Sequence, residues 1–94
     1  MSSRTAPIPT LHILNKAPNH PRFEACLAAQ DEGDLLLLTE NAVLALSDRR
    51  IQLPSSIRAL ASDCKARGIS GEGRLVDYTG MVELTDRFSR IISW

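Results

Sequence analysis

Leu35-Leu36-Leu37-Leu38 decides the fold: four apolar residues in a row, set between Gly33-Asp34 and Thr39-Glu40. The run is too short for a helix and lacks polar alternation, so it reads as a strand covered on both faces, as strands of parallel sheets are. Toward the start of the chain, Thr10 to Leu14 is a second short apolar strand, closed by Asn15 and Pro18. Between the two strands, Asn19 or His20 is placed to cap a helix that tolerates Pro21 in its first turn. Phe23, Cys26, Leu27 and Gln30 then recur at i, i+3, i+4 and i+7, a helical stripe.

Toward the end of the chain the alternation continues. Glu40 to Leu46 reads as a short helix, and Ile51-Gln52-Leu53 as a stub of strand between two exposed turns. Ile57 to Leu60 is a third core strand. Ser62 is placed to cap a helix running to Arg67, and Gly68 is its natural stop. Arg74 to Val76 begins a fourth strand, and Thr79 is placed to cap a last helix on which Met81, Leu84, Thr85 and Phe88 share one face. Ile91-Ile92 and Trp94 form a strand-like tail. The expectation is an α/β fold: a mostly parallel sheet of four or five strands, right-handed crossovers, and short helices on both faces.

The chain has 94 residues, with 11 basic and 11 acidic side chains cancelling to a net charge of zero. Residues 10–94 are expected to form one domain behind a flexible leader over residues 1–9. The charge balance argues against direct nucleic-acid binding, which calls for a basic excess. No stretch approaches the ~20 apolar residues of a membrane span, and the leader has no secretory apolar run. The compartment is therefore expected to be reducing and cytoplasmic, leaving Cys26 and Cys64 unpaired. No phosphate-cradling glycine loop, nucleophile elbow or metal-ligand spacing occurs, so neither cofactor nor metal is expected. A sheet this small, with barely two-turn helices and a terminal tryptophan, is expected to leave apolar surface for another chain.

Few residues can carry chemistry. Cys26 can hold a persulfide if its thiolate is exposed and favoured by charge, Arg22 being one turn away; equally, it fits a buried thiol on the stripe of Phe23 and Leu27. Cys64 lies in a first helical turn beside Lys65, a position that also suits an apolar contact with the sheet. His12 has no carboxylate nearby in sequence and reads as a hydrogen-bonded core or interface histidine. Asp77 and Tyr78 stand at the carboxyl end of the fourth strand, the ligand-facing edge of such sheets. There, Asp77 either caps the next helix or orients a partner, and Tyr78 suits an interface. His12, Asp77, Tyr78 and Trp94 are thus the candidate interface residues, and Cys26 the candidate sulfur carrier.

Four segments, in order, resemble the TusB/DsrH family: Leu11-His12-Ile13-Leu14-Asn15-Lys16-Ala17-Pro18, Gly33-Asp34 with the leucine run, Asp63 to Ile69, and Val76 to Thr85, followed by Trp94 at the end. The resemblance covers residue 10 onward and is weakest over 45–57 and 69–75, where the chain is shortened. It implies a DsrE-like three-layer subunit that assembles with two paralogues, of TusC/DsrF and TusD/DsrE type, into a heterohexamer. Such a complex relays persulfide sulfur to a small TusE/DsrC-type carrier, for 2-thiolation of tRNA wobble uridine. The principal sulfur-bearing cysteine then resembles one on a paralogue, leaving this chain an accessory role. The surroundings of Cys26 also resemble the cysteine position of DsrH-type members, which implies the alternative of a sulfur-oxidation subunit with Cys26 itself carrying sulfur. A small-ligand-binding α/β module is the third reading, resting on fold analogy alone.

Overall fold

The computed structural model describes residues 8–94, so residues 1–7 of the expected leader lie outside the described part. The elements follow the anticipated order: β1 (Thr10–Leu14), α1 (Pro21–Ala28), β2 (Leu35–Leu38), a 3₁₀ helix (Glu40–Ser47), β3 (Ile57–Leu60), α2 (Ala61–Ala66), β4 (Leu75–Val76), α3 (Tyr78–Arg87) and β5 (Arg90–Ser93). All four pairings are parallel and the strand order is β4-β3-β2-β1-β5. The chain moves outward from β1 to β4, then α3 carries it back across the sheet to place β5 on the other side of β1. That reversal makes the β1/β5 boundary the topological switch point, where open α/β sheets leave a crevice at their carboxyl edge.

The leucine run shows why the sheet needs two layers around it. All four of its residues are buried, and alternate side chains enter different cores. Leu36 and Leu38 join Leu14, Ile57 and Ala59 beneath α1, the 3₁₀ helix and α2. Leu35 and Leu37 join Leu11 beneath α3, which contributes Leu84 with Met81 and Phe88 beside it. Each fully buried leucine contributes about 2 kcal/mol relative to exposure, so this strand anchors both layers. The fold is the expected three-layer α/β arrangement, with a wholly parallel sheet of five strands.

Three local expectations are corrected. Ile51-Gln52-Leu53 is not a strand; Ile51 and Leu53 pack their side chains on the core from an irregular loop, so the apolar pattern reports burial without pairing. Ser62 is not a cap, because α2 starts directly off β3 at Ala61 and its preceding residue, Leu60, gives no side-chain bond. The last helix is capped by Asp77 and not Thr79: Asp77 Oδ1 accepts from the backbone N–H of Gly80 at 2.7 Å. The helix after β2 exists, but as 3₁₀ geometry. Its repeat of three stacks Ala42 over Ala45 on the core side, with Val43 buried beside them. Gly68 does end α2, at a left-handed φ of +67°.

Candidate functional site at the carboxyl edge of the sheet

His12 comes from the middle of β1 and is 2% exposed. Its Nε2 lies 2.8 Å from Asp34 Oδ2, and its Nδ1 accepts from Trp94 Nε1–H at 3.1 Å. Trp94 has only a donor to offer, so Nδ1 must be the bare nitrogen and Nε2 carries the hydrogen given to Asp34. The imidazole and indole rings lie nearly parallel, 24° apart, with centroids separated by 6.0 Å. The carboxylate that sequence proximity failed to supply thus arrives from the residue before β2, whose parallel register sets Leu11 against Leu35.

Asp34 is itself buried and fully occupied. Besides His12 it accepts from the backbone N–H of Thr10 at 2.9 Å and of Asp31 at 3.0 Å. Burial pushes its carboxyl up, but the bonds from Thr10, His12 and Asp31 outweigh that and hold it below the ordinary carboxylate range. Trp94 is fixed at two further points. Its backbone N–H donates to Ile13 O at 2.9 Å, and its carbonyl accepts from Lys16 Nζ at 3.0 Å. Lys16 also donates to Asn15 Oδ1 at 2.6 Å, so the turn after β1 holds the end of β5.

From this clasp, Trp94 forms one wall of a cleft of about 410 Å³ that spans the carboxyl ends of the strands, with Ile13, Asn15, Thr39, Asp63, Tyr78 and Met81 among its other walls. Glu40 also lines the cleft, and its left-handed backbone (φ +49°) is uncommon for a residue with a side chain. Asp63 Oδ2 accepts its N–H at 2.6 Å, and Asn15 Nδ2 donates to its Oε2 at 3.4 Å. Tyr78 is 60% exposed on the rim, beside the Asp77 cap. The edge therefore brings Tyr78 and Trp94 to one cleft, while His12 lies beneath the surface and touches it only through Trp94.

Both cysteines lie inside the larger core, on the side of α1 and α2 that faces the sheet, and both are free thiols with no exposed surface. Desolvation pushes the Cys26 thiol up to about 11, a rise that a long contact from Gln30 Nε2 to Sγ, at 3.7 Å, offsets only in part. Cys64 is also pushed up, by burial and by the neighbouring Asp63, against a smaller opposing pull from Arg67. Arg22 is exposed to solvent and is not among the groups that shift the Cys26 thiol. In this arrangement neither sulfur is a ready nucleophile.

Asp34, Lys16 and Glu40 are the residues that the sequence did not single out. A buried histidine obliges a partner to exist, but only the parallel register identifies it as Asp34. Among the described residues, no group of three or more His, Cys, Asp or Glu side chains is arranged to hold a metal ion. None of the described helices is long and apolar enough to cross a membrane.

A family model described as DsrH like protein matches residues 16–91. The protein named TusB of Escherichia coli strain K12 is 35% identical over an alignment that covers 89% of this chain and 99% of that protein. The TusB proteins of Enterobacter sp. strain 638 and of Shigella boydii serotype 18 match to the same extent.

Proposed function

This chain belongs to the TusB/DsrH family, and from that premise we propose that it is an accessory subunit of a sulfur-relay complex serving 2-thiolation of tRNA wobble uridine. The similarity to TusB proteins along nearly their whole length supports the relay reading. The observation that carries the accessory role is the burial of both thiols, with Cys26 pushed up to about 11. A sulfur carrier must present a thiolate to its donor and acceptor in turn. A thiol packed in the core does neither without opening the fold.

In this reading the chain works by shape. It completes a cytoplasmic heterohexamer with two paralogous DsrE-like subunits, of TusC/DsrF and TusD/DsrE type, and a paralogue's cysteine carries the sulfur onward to a TusE/DsrC-type protein. The thinly covered side of the sheet is the surface offered to those subunits, with Val82 on α3 53% exposed and Ile91 on β5 also open. Asp77 and Tyr78 lie at the carboxyl edge of that side. Asp77 shapes the start of α3, and Tyr78 supplies an aromatic anchor of the kind that interface centres favour.

The test is purification of the tagged chain from its native cells, followed by a sulfur-transfer assay on the recovered complex. Two small paralogous chains in equal amount, with transfer retained in the Cys26→Ser variant, is the expected result. Loss of transfer in Cys26→Ser equal to that on deleting the whole subunit would replace this reading with the DsrH-type one, in which Cys26 bears the sulfur.

A further inference from the structure

We propose that Trp94 and the end of β5 form a proton-gated latch: docking requires the uncharged His12, and a proton gained by His12 releases Trp94 from the carboxyl edge of the sheet. The inference stands on the hydrogen-bond geometry and is independent of the sulfur-relay reading.

The two rings differ in what they can offer. The indole of Trp94 is a donor only, and it donates to His12 Nδ1 at 3.1 Å. The other ring nitrogen, Nε2, already faces Asp34 Oδ2 at 2.8 Å and gives its hydrogen there. A second proton can enter only at Nδ1, where it sets an N–H against the N–H of the indole. Rotating the indole does not restore the bond, because the ring offers no lone-pair acceptor and only its weaker π face. Once Trp94 moves away, Nδ1–H is free to find water, while Nε2–H stays on Asp34. The Asp34 contact is thus common to both states and does not reverse the direction of the coupling.

The groups around His12 leave this sign intact. From the start of β2 comes Asp34, and from β5 the uncharged indole. Arg90 also lies on β5, exposed and registered against Thr10. From α1 the core side presents Phe23 and Cys26, the latter a neutral thiol, while Arg22 and Glu24 are exposed. From the turn after β1, Lys16 reaches the Trp94 carbonyl. Lys16 therefore loses one of its two partners when the strand leaves and keeps Asn15 Oδ1.

Release has a consequence at the surface. Trp94 walls the carboxyl-edge cleft beside Ile13, Asn15 and Met81. Its departure widens that cleft and leaves the Lys16 ammonium with Asn15 alone. A proton taken up at a buried imidazole is thereby converted into a change of shape and charge at the sheet edge.

Trp94 is the single tryptophan of the chain, so one indole N–H signal reports the latch. In the full ¹⁵N-labelled chain, exchange of that hydrogen is compared with the same exchange in N-acetyltryptophanamide at each pH. Losing one satisfied hydrogen bond and leaving a donor opposed predicts that protection falls at least about tenfold between about pH 8 and pH 5. The β2 amide of Leu37 keeps its protection over the same range. In His12→Asn, whose amide oxygen can accept from the indole and has no proton to gain, protection of Trp94 stays flat. Unchanged Trp94 protection in the native chain overturns the proposal. So does a fall that merely tracks Leu37, which signals global unfolding, or an equal fall in His12→Asn. Should His12→Asn fail to fold, the comparison of Trp94 with Leu37 in the native chain decides alone.

Discussion

On the side of the sheet covered by α1, the 3₁₀ helix and α2, eleven buried residues close over one another; on the side under α3, four do. Both sides are served by the same strands, and alternate residues of β2 supply each in turn. The difference lies in the coverage. Three crossovers land on one face and one on the other, because the chain reverses direction only once, after β4. The thickly packed face holds both thiols. The thin face holds the exposed Val82 and Ile91, with Tyr78 at its edge. The residues with the most reactive chemistry are thus the least accessible, and the accessible ones are suited to contact.

The largest effect that can sharpen this contrast is a cavity. Leu36→Ala empties a fully buried site on the packed face and is expected to cost about 3–4 kcal/mol in urea denaturation. Val82→Ala on α3 is expected to stay within about 0.5 kcal/mol in the isolated chain. Similar losses at the two positions would break the comparison outright.

The next effect concerns the clasp that ties β2 and β5 to β1 between them. Asp34→Ala strands the donors of Thr10, His12 and Asp31, and is expected to cost about 2–3 kcal/mol. The pH dependence has a definite sign. The Asp34 carboxyl is held below its ordinary value in the folded chain, so its stabilisation is full above the unfolded value, near pH 4. It is lost as pH falls through the lower native value. Urea midpoints between about pH 6 and pH 2 should therefore drop less steeply in Asp34→Ala than in the native chain. A parallel drop would remove Asp34 from the account.

The smallest expected change is at the start of α3. Asp77→Ala removes the bond to Gly80 N–H and should cost about 1 kcal/mol by thermal or urea melting. If Asp77 served only a partner, the isolated chain would not register the substitution.

What the sequence made legible, and what it did not, follows the range of the forces involved. The leucine run, the Phe23-Cys26-Leu27 stripe and the Gly68 stop are read from neighbouring residues, and each forms the element it suggested. The cap of α3 was a local choice between Asp77 and Thr79, both competent; the position of Tyr78 as the first helical residue decides it. Ile51-Gln52-Leu53 failed as a strand because apolar alternation reports which side chains are buried, and a loop lying on the core satisfies it equally. The clasp was out of reach for a different reason. His12 meets Asp34 across 22 positions and Trp94 across 82, and only the placement of β2 and β5 on either side of β1 brings them together. His12 and Trp94 were singled out separately; their contact belongs to the topology.

Whether the packed-face thiols carry sulfur is decided by intact-mass and peptide-level spectrometry of the complex after exposure to a persulfide donor. The expected result is no adduct of about 32 Da on Cys26 or Cys64, with the label confined to a cysteine of a partner subunit. A single-sulfur adduct on Cys26 at appreciable occupancy, formed while the chain remains folded, would contradict it.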